Sequence, residues 1–434
     1  MTDSVSRHRL GLAALGLIPW GAAVAWYASD SLRHRREQGQ GYELRGDHVR
    51  VGSEEFLRAT EALTSAPISR GNDLELLING DAIFPAFLAT IGTAQRSLNL
   101  LTFVYWRGDI ARDVAAALGE RARAGVAVNV LLDAFGTAKM EPRLIREMRE
   151  AGVTVTRFRP PKPYTIRRFN NRTHRKLLIA DGEVGMIGGV GIAQEWTGDA
   201  QDPDHWRDTH LRVRGPIVRG LQGAFAENWL EATGDVLVGP DYLPELTGAD
   251  GAGPMQLVRS SAGVGDTNVE ALYFLAIACA TTTIDLTAAY FAPRPAFVEA
   301  LMGAARRGVR VRVLVPGEHI DKQFVRVAGR AVYDRLIGAG VRIFEYGPTM
   351  LHAKTTTVDE AWSTVGSVNF DNRSFQLHDE ATLCVQSERF AGQLTEQFER
   401  DLAVSKEIRK ARWTDRPLHQ RAQEQTLVRL RREL

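Results

Sequence analysis

Two stretches of the chain repeat one spacing of chemically capable side chains: a histidine, a lysine two positions later and an aspartate five positions after that. The first copy contains His174, Lys176 and Asp181, and the second contains His352, Lys354 and Asp359. A turn of small residues follows each copy, as Gly188-Gly189 and as Gly366-Ser367. A single such pattern is weak, but its duplication is a strong signal of a built site.

The spacing within each copy predicts that both side chains act together. In a strand, residues i and i+2 share a face, so each histidine and its lysine point the same way. If two halves of the chain pack about a pseudo-twofold axis, two imidazoles and two ammoniums converge on one pocket that suits a phosphate anion. One imidazole can then attack phosphorus and the other can protonate the leaving oxygen, while the lysines stabilise the phosphoryl oxygens.

Acidic residues near each copy are expected to support this chemistry rather than to perform it. A carboxylate commonly fixes the tautomer of a working histidine, and Asp208 and Glu380 lie downstream in similar apolar contexts. Asp181 and Asp359 belong to the repeated pattern and are counted with the catalytic set, although Asp181 precedes a glycine in a hairpin signal and we expect both aspartates to be mainly structural.

The sequence predicts no metal and no cofactor. Its carboxylates form no cluster ready for Mg²⁺, and two lysines in the pocket would repel a divalent ion. The acidic and histidine residues between Asp202 and His210 fit no strong zinc or calcium spacing. Cys279 and Cys384 are far apart and form no metal or redox pair.

The elements around the two copies also repeat. Strand 98–105, helix 109–124, strand 125–133, helix 142–151 and strand 153–158 return as 284–290, 295–307, 308–315, 332–339 and 340–346. The offset between the copies is close to 180 residues, which indicates an internal duplication. The predicted fold class is α/β, with two duplicated α/β/α lobes, one shared active site and an N-terminal apolar helix.

Length and composition fit this organisation. The chain has 434 residues, 44% of them hydrophobic and 24% charged, which is enough for two globular lobes. The formal charge of +2 favours no partner by itself. We predict four segments: a membrane segment and linker (1–45), a first lobe (46–240), a second lobe (241–403) and a basic tail (404–434).

Several features favour a membrane and a lipid. Residues 10–28 carry no charge and are long enough to cross the hydrocarbon core of a bilayer, which predicts an anchor in the cell membrane of a bacterium. A cleaved signal peptide, with Ala23-Val24-Ala25 before the cut, is the alternative. The stretch 157–172 mixes arginines and aromatic residues without an acid and leads directly to His174, so it is expected to meet anionic headgroups. The tail could lie on a bilayer or be a solvated helix.

The two copies, together with Trp206-Arg-Asp-Thr-His210 and Gly366-Ser-Val-Asn-Phe370, resemble the phospholipase D superfamily, and within it the bacterial cardiolipin synthases. The likeness covers roughly residues 70 to 400. It implies a bilobal α/β fold, one active site and a phosphohistidine intermediate, with His174 as nucleophile and His352 as general acid. It also implies phosphate binding by Lys176, Lys354, Ser367 and Asn369. The family carries an asparagine after each turn; the first copy has Gly191 there, which predicts a pocket with one amide fewer.

The leading hypothesis is a phosphatidyltransferase that moves a phosphatidyl group between phospholipids, with phosphatidylglycerol as the expected substrate and no nucleic-acid partner. A hydrolase that uses water as acceptor has the same motif. A nuclease is a more distant alternative, since a basic stretch can follow a nucleic-acid backbone. A catalytically silent membrane or scaffold protein is a third, suggested only by Gly191. The sequence leaves the oligomeric state open.

Overall fold

The computed structural model describes residues 43–46, 49–161, 170–248, 251–262 and 266–409. The predicted anchor at residues 10–28 lies outside these ranges. Among the helices that the described residues form, none combines the length and the apolar character that a bilayer crossing requires.

Two mixed β-sheets form the framework of the described chain. The first has seven strands in the order β1-β8-β7-β6-β2-β3-β4. These strands are β1 (Asp73–Ile78), β2 (Ser97–Thr102), β3 (Ala127–Asp133), β4 (Thr154–Phe158), β6 (Leu177–Ala180), β7 (Val184–Gly188) and β8 (Thr209–Arg214). Strands β2, β3 and β4 run parallel, whereas the strands from β2 through β6, β7 and β8 to β1 pair antiparallel.

The second sheet repeats this order with other strands: β9-β15-β14-β13-β10-β11-β12. Its strands are β9 (Met255–Ser260), β10 (Thr283–Thr287), β11 (Arg310–Pro316), β12 (Arg342–Tyr346), β13 (Thr355–Val358), β14 (Trp362–Gly366) and β15 (His378–Gln386). The parallel and antiparallel pairings also match, and β16 (Ser405–Glu407) adds to the edge at β12. The shared topology confirms the predicted duplication.

Helices cover both faces of each sheet. They are α1 (Glu54–Thr64), α2 (Asn79–Thr93), α3 (Asp109–Arg123), α4 (Pro142–Glu150), α5 (Val218–Thr233), α6 (Asn268–Cys279), α7 (Pro295–Arg306), α8 (Gln323–Arg330), α9 (Tyr333–Gly338) and α10 (Glu388–Ala403). Helices α2, α3 and α4 share a core with the first sheet, and α6, α7 and α9 share one with the second. A third core joins the two sheets, with Ile187, Leu221, Phe225, Val365 and Leu383 among its buried members.

Two segments cross from the first half of the chain to the second. The two-residue strand β5 (Arg172–Thr173) precedes β6 in the chain but pairs with β15 of the second sheet. Helix α1 packs against α6, and its Phe56 contacts Trp362 edge to face at 5.7 Å. The predicted first lobe, residues 46–240, therefore contains pieces that complete the second half of the fold.

The repeated elements predicted from the sequence lie within a few residues of the observed ones. The largest differences concern the predicted strands 98–105 and 284–290: β2 ends at Thr102 and β10 at Thr287, each three residues early. Among the residues that follow, Phe103 lies 5.1 Å from His174 and Tyr290 lies 6.4 Å from His352, ring centre to ring centre. At the C-terminus, residues 405–407 of the predicted tail form β16 instead of a helix, and residues 410–434 lie outside the described ranges.

Candidate active site

Each His-x-Lys segment is an extended stretch directly before a strand, at the edge where the parallel strands end. Residues 174–176 lead into β6, and residues 352–354 lead into β13. The intervening residue points away from the site: Arg175 is fully buried and donates to the carbonyl oxygens of Ala224 and Ser260, each at 2.8 Å. The alternation leaves each histidine and lysine on the common face.

His174 is held by a carboxylate of the second half. Its Nδ1 lies 3.0 Å from Glu380 Oε1 and 3.0 Å from the carbonyl oxygen of Ser367. Glu380 in turn accepts hydrogen bonds from the hydroxyls of Ser367 and Ser374, the latter at 2.7 Å. With Nδ1 bound as a donor, Nε2 is the nitrogen left for chemistry.

His352 is held by a carboxylate of the first half. Its Nδ1 lies 2.7 Å from Asp208 Oδ2. Asp208 is fixed by the indole N–H of Trp196 at 2.8 Å and by the backbone N–H of Thr209 at 2.8 Å. This arrangement also leaves Nε2 of the imidazole for chemistry.

The backbone explains why each histidine meets the carboxylate of the other half. The N–H of His174 donates to the carbonyl of Asp379 at 2.8 Å, directly before Glu380. In the same way the N–H of His352 donates to the carbonyl of Arg207 at 2.7 Å, directly before Asp208. Each His-x-Lys segment thus lies alongside the carboxylate-bearing strand end of the other half, and the site exists only where the two halves meet.

Both lysines are buried beside their histidines. Lys176 Nζ donates to the carbonyl of His174 at 2.6 Å, and Lys354 Nζ donates to the carbonyl of His352 and lies 3.0 Å from Nε2 of that ring. Burial, with the charge of Lys354, lowers the pKa of Lys176 to about 7. Burial also lowers the pKa of Lys354 to about 8, although nearby carboxylates oppose this. Burial and mutual repulsion therefore destabilise the charged forms of both lysines, and a bound anion would stabilise them.

The imidazoles are neutral in the pocket without an anion. Burial, followed by the charges of Lys176, Lys354 and His352, lowers the pKa of His174 well below its usual value. Burial and the charge of Lys354 lower the pKa of His352 to about 4. The charges of each imidazole–ammonium pair thus act on the histidine of the other, and each histidine is only 5% exposed.

The two aspartates of the repeated pattern lie at the other end of their strands. Asp181 accepts hydrogen bonds from the backbone N–H groups of residues 95, 96 and 97, at 2.7 to 2.9 Å for the shortest contact of each. Asp359 accepts from the backbone N–H groups of residues 281–283 and from the hydroxyls of Thr281 and Thr282. Neither contact reaches the histidines, which indicates a structural role.

The positions after the two turns differ in a way that the sequence alone does not explain. Asn369 accepts a hydrogen bond from the N–H of Tyr290 at 3.3 Å. At Gly191 a Cβ atom would lie 2.7 Å from Cβ of Val104 and 3.3 Å from the indole of Trp196, so no larger side chain fits. The first copy therefore uses this space for the tryptophan that holds Asp208.

Four residues of the site were not predicted from the sequence. All four could have been found from the duplication, because they occupy matching positions in the two copies. Trp196 and Ser374 each lie 22 positions after the histidine of their copy, and each donates to the supporting carboxylate. Trp206 and His378 each lie two positions before that carboxylate. The ring centre of Trp206 is 5.7 Å from that of His352, and the ring centre of His378 is 5.4 Å from that of His174.

A metal is the one alternative ligand that the geometry of the described residues raises. Donor atoms of His174, His378 and Glu380 lie within 4.8 Å of one another. The charges of Lys176 and Lys354 oppose a cation there, and both oxygens of Glu380 already accept hydrogen bonds. Chemistry without a metal stays a prediction.

The basic stretch before His174 is partly committed to structure. Arg159 pairs with Glu231 through two contacts of 2.7 Å, and Arg172 is buried 3.9 Å from Asp133. Arg157 is exposed on β4, and the three other basic residues of the stretch, Lys162, Arg167 and Arg168, lie outside the described ranges.

The fold and the site define a class of protein: a duplicated α/β phosphoryl-transfer fold with one histidine–lysine pair from each half. Solved structures support the fold. Phosphatidylserine synthase from Haemophilus influenzae Rd KW20 is similar with a TM-score of 0.65 and 11% identity, over 88% of this chain and 98% of that one. Polyphosphate kinase from Porphyromonas gingivalis is similar with a TM-score of 0.55 and 12% identity, over 90% of this chain and 57% of that one.

Sequence relatives and a family model define the class more narrowly. The model described as "Cardiolipin synthase, PLD-like domain" matches residues 87–202 and 273–402. Cardiolipin synthase from Geobacillus sp. (strain WCH70) is 33% identical over 86% of this chain and 74% of its own length. Cardiolipin synthase A from Pseudomonas fluorescens (strain SBW25) is 36% identical over 81% of this chain and 73% of its own length. The chain belongs to the cardiolipin synthase family of the phospholipase D superfamily, and it is a phosphatidyltransferase.

Proposed function

We propose that the protein is a cardiolipin synthase that transfers the phosphatidyl group of one phosphatidylglycerol to the headgroup hydroxyl of another and releases glycerol. The observation that carries the proposal is the cross-supported pair of histidines: His174 on Glu380 and His352 on Asp208, with a buried lysine beside each. The names of the relatives support cardiolipin as the product.

In the first step, the Nε2 lone pair of His174 attacks the donor phosphorus, and the bond from phosphorus to the glycerol oxygen breaks. The leaving oxygen takes a proton from Nε2 of His352, and glycerol departs. The phosphatidyl group stays on His174 as a phosphohistidine. Lys176 and Lys354 balance the charge on the phosphoryl oxygens.

Entry of the phosphate anion prepares His352 for this role. In the pocket without an anion its pKa is about 4, which leaves it neutral. The negative charge of the phosphate offsets the repulsion from Lys354 and raises the pKa of the imidazole, while Asp208 stabilises the imidazolium on the Nδ1 side. The enzyme therefore acquires its acid together with its substrate.

In the second step, the hydroxyl of the acceptor gives its proton to His352 and attacks the phosphorus. The bond between phosphorus and His174 breaks, His352 regains the proton that it gave to glycerol, and cardiolipin leaves. Water in place of the acceptor would give phosphatidic acid, so the exclusion of water decides between transferase and hydrolase.

The experiment uses the purified full-length chain with labelled phosphatidylglycerol and a chelator. We expect equal amounts of cardiolipin and glycerol. Phosphatidic acid as the only lipid product would show a hydrolase instead, and cleavage of DNA without lipid turnover would show a nuclease. An absolute need for added metal would contradict the metal-free mechanism.

The cell membrane, with residues 10–28 as anchor, is the proposed location. The uncharged length of that segment supports it. Leu15→Arg combined with Leu17→Arg in the full chain should reduce flotation with vesicles. Unchanged flotation would show that other surfaces hold the protein on the lipid.

A further inference from the structure

Transfer between two phospholipids, on which this inference rests, brings two phosphates to the site. The two histidines and two lysines surround the phosphorus under attack. The acceptor keeps its own phosphate, separated from the attacking hydroxyl only by the carbons of its headgroup. A second group of cations close to the first pocket would hold that phosphate.

Lys322 lies at the required place on one side of the pocket. Its ammonium is 4.6 Å from the ring centre of Tyr290, which is 6.4 Å from the ring centre of His352. These two distances together place the ammonium within 11.0 Å of that imidazole. The residue is exposed, and no carboxylate of the described residues lies within ion-pair distance of it. Asp321 and Asp371 are its acidic neighbours, and Asp321 accepts the hydroxyl of Tyr290 at 2.8 Å.

Arg373 lies on the other side, next to the imidazole of His378. Its Nε donates to Nε2 of His378 at 3.4 Å, and the ring centre of His378 is 5.4 Å from that of His174. Lys322 and Arg373 are thus each separated from a motif histidine by one ring, Lys322 from His352 by Tyr290 and Arg373 from His174 by His378. The charge of Lys322 also contributes to the lowered pKa values of His174 and of both motif lysines, in agreement with its distance from His352.

We infer that Lys322 and Arg373 form a second phosphate subsite that holds the phosphate of the acceptor lipid while its hydroxyl reaches the phosphorus on His174. The subsite gives the acceptor its chemical class: an alcohol that carries a phosphate within a few bonds of the hydroxyl. Neutral alcohols lack the group that the subsite binds.

The duplication provides a matched control for Lys322. Lys139 lies 183 residues earlier, in the loop between β3 and α4, and its ammonium lies 4.1 Å from the ring centre of Trp106. It thus has the same charge and the same kind of aromatic contact. Lys139 is exposed and lines a separate surface cavity with Trp106 and Arg107, and neither motif histidine is among the residues of that cavity.

The test compares two water-soluble acceptors that share a glycerol skeleton, glycerol and sn-glycerol 3-phosphate. The donor is phosphatidylglycerol in mixed micelles, and labelled acceptors report transfer by the full-length enzyme. We expect Lys322→Gln to raise the KM for glycerol 3-phosphate about tenfold, the usual effect of one charge-assisted contact. The KM for glycerol and both kcat values should stay within about twofold, and Lys322→Arg should restore most of the loss.

Other outcomes overturn the inference. Equal losses for both acceptors would assign Lys322 to the donor phosphate, and no loss for either would remove the subsite. The same effect in Lys139→Gln would indicate general attraction to the charged micelle. Arg373→Gln should also weaken the preference for glycerol 3-phosphate over glycerol. An equal loss of activity with glycerol would show that Arg373 acts on the donor through His378. Failure of the proposed function appears separately, as a wild-type enzyme that transfers to no alcohol.

Discussion

The two halves of the site solve one problem with different residues. In each half, the histidine is held at Nδ1 by a carboxylate that comes from the other half. The second half uses the longer Glu380, which is fixed by the hydroxyls of Ser367 and Ser374. The first half uses Asp208, which is fixed by the indole of Trp196 and a backbone N–H.

The difference follows from the space behind each carboxylate. At Gly189, which matches Ser367, a Cβ atom would lie 2.2 Å from Oδ1 of Asp208. In the first half there is therefore no room for a serine at this position, and the indole N–H of Trp196 donates to the carboxylate instead. The two halves thus share a histidine held through Nδ1 and a hydrogen-bond donor to the carboxylate that holds it, while the identity of that donor differs.

Removal of one histidine at a time tests most directly whether the two halves have different roles, and it should have the largest effect. His174→Ala and His352→Ala should each abolish turnover of phosphatidylglycerol, because one lacks the nucleophile and the other the acid. A phosphodiester with a p-nitrophenol leaving group needs no acid, so His352→Ala should still release p-nitrophenol and His174→Ala should not. Rapid colorimetric assays measure this difference.

Removal of a histidine outside the pocket serves as the control for this pair. His319→Ala changes an exposed imidazole and should leave lipid turnover intact. Release of p-nitrophenol by His174→Ala but not by His352→Ala would exchange the two roles. Retained lipid turnover in both variants would remove the mechanism.

Loss of either supporting carboxylate should have the next largest effect. Asp208→Asn and Glu380→Gln keep the shape but remove the charge that fixes the tautomer and stabilises the imidazolium. We expect kcat to fall by roughly 10² to 10⁴, the range of acid–base contributions, with a smaller change in KM. Steady-state kinetics measure both, with Glu231→Gln at the surface pair with Arg159 as the control. An unchanged kcat would show that the carboxylates only pack the site.

The lysines allow a smaller, pH-dependent test that treats the two halves separately. Lys176 and Lys354, with pKa values of about 7 and about 8, are partly neutral near those pH values in the pocket without an anion. Sulfate favours their charged forms and raises both pKa values, so its binding takes up protons. We therefore expect the affinity for sulfate to be highest below pH 7. As the pH rises, this affinity should fall by up to tenfold per pH unit for each proton that binding takes up.

Calorimetry in two buffers of different ionisation enthalpy measures the proton uptake directly. Lys176→Gln should remove the proton uptake near pH 7 and leave the proton uptake near pH 8, which belongs to Lys354. Binding that is independent of pH between 6 and 9 would show that both ammoniums stay charged in the empty pocket.

The sequence predicted the duplicated α/β framework because buried strands and amphipathic helices follow local periodicity, as in 127–133 and 310–316. It also predicted that His174 and His352 share a pocket. It did not predict which carboxylate supports which histidine, because that pairing depends on how each His-x-Lys segment crosses to the other half. The role of Trp196 was also hidden, because a tryptophan in a chain of this composition is more often a core residue.

The smallest expected effect concerns stability rather than rate, and it separates the two aspartates of the repeated pattern. Asp359 accepts from three backbone N–H groups and two threonine hydroxyls, whereas the main contacts of Asp181 are with three backbone N–H groups. Alanine at either position leaves these donors without their acceptor, at a cost of about 1–3 kcal/mol, and we expect the larger loss for Asp359→Ala. Urea unfolding measures it. Because both contacts lie at the far end of the strands, kcat should stay within about twofold; a hundredfold loss of kcat without loss of stability would place these carboxylates in the chemistry.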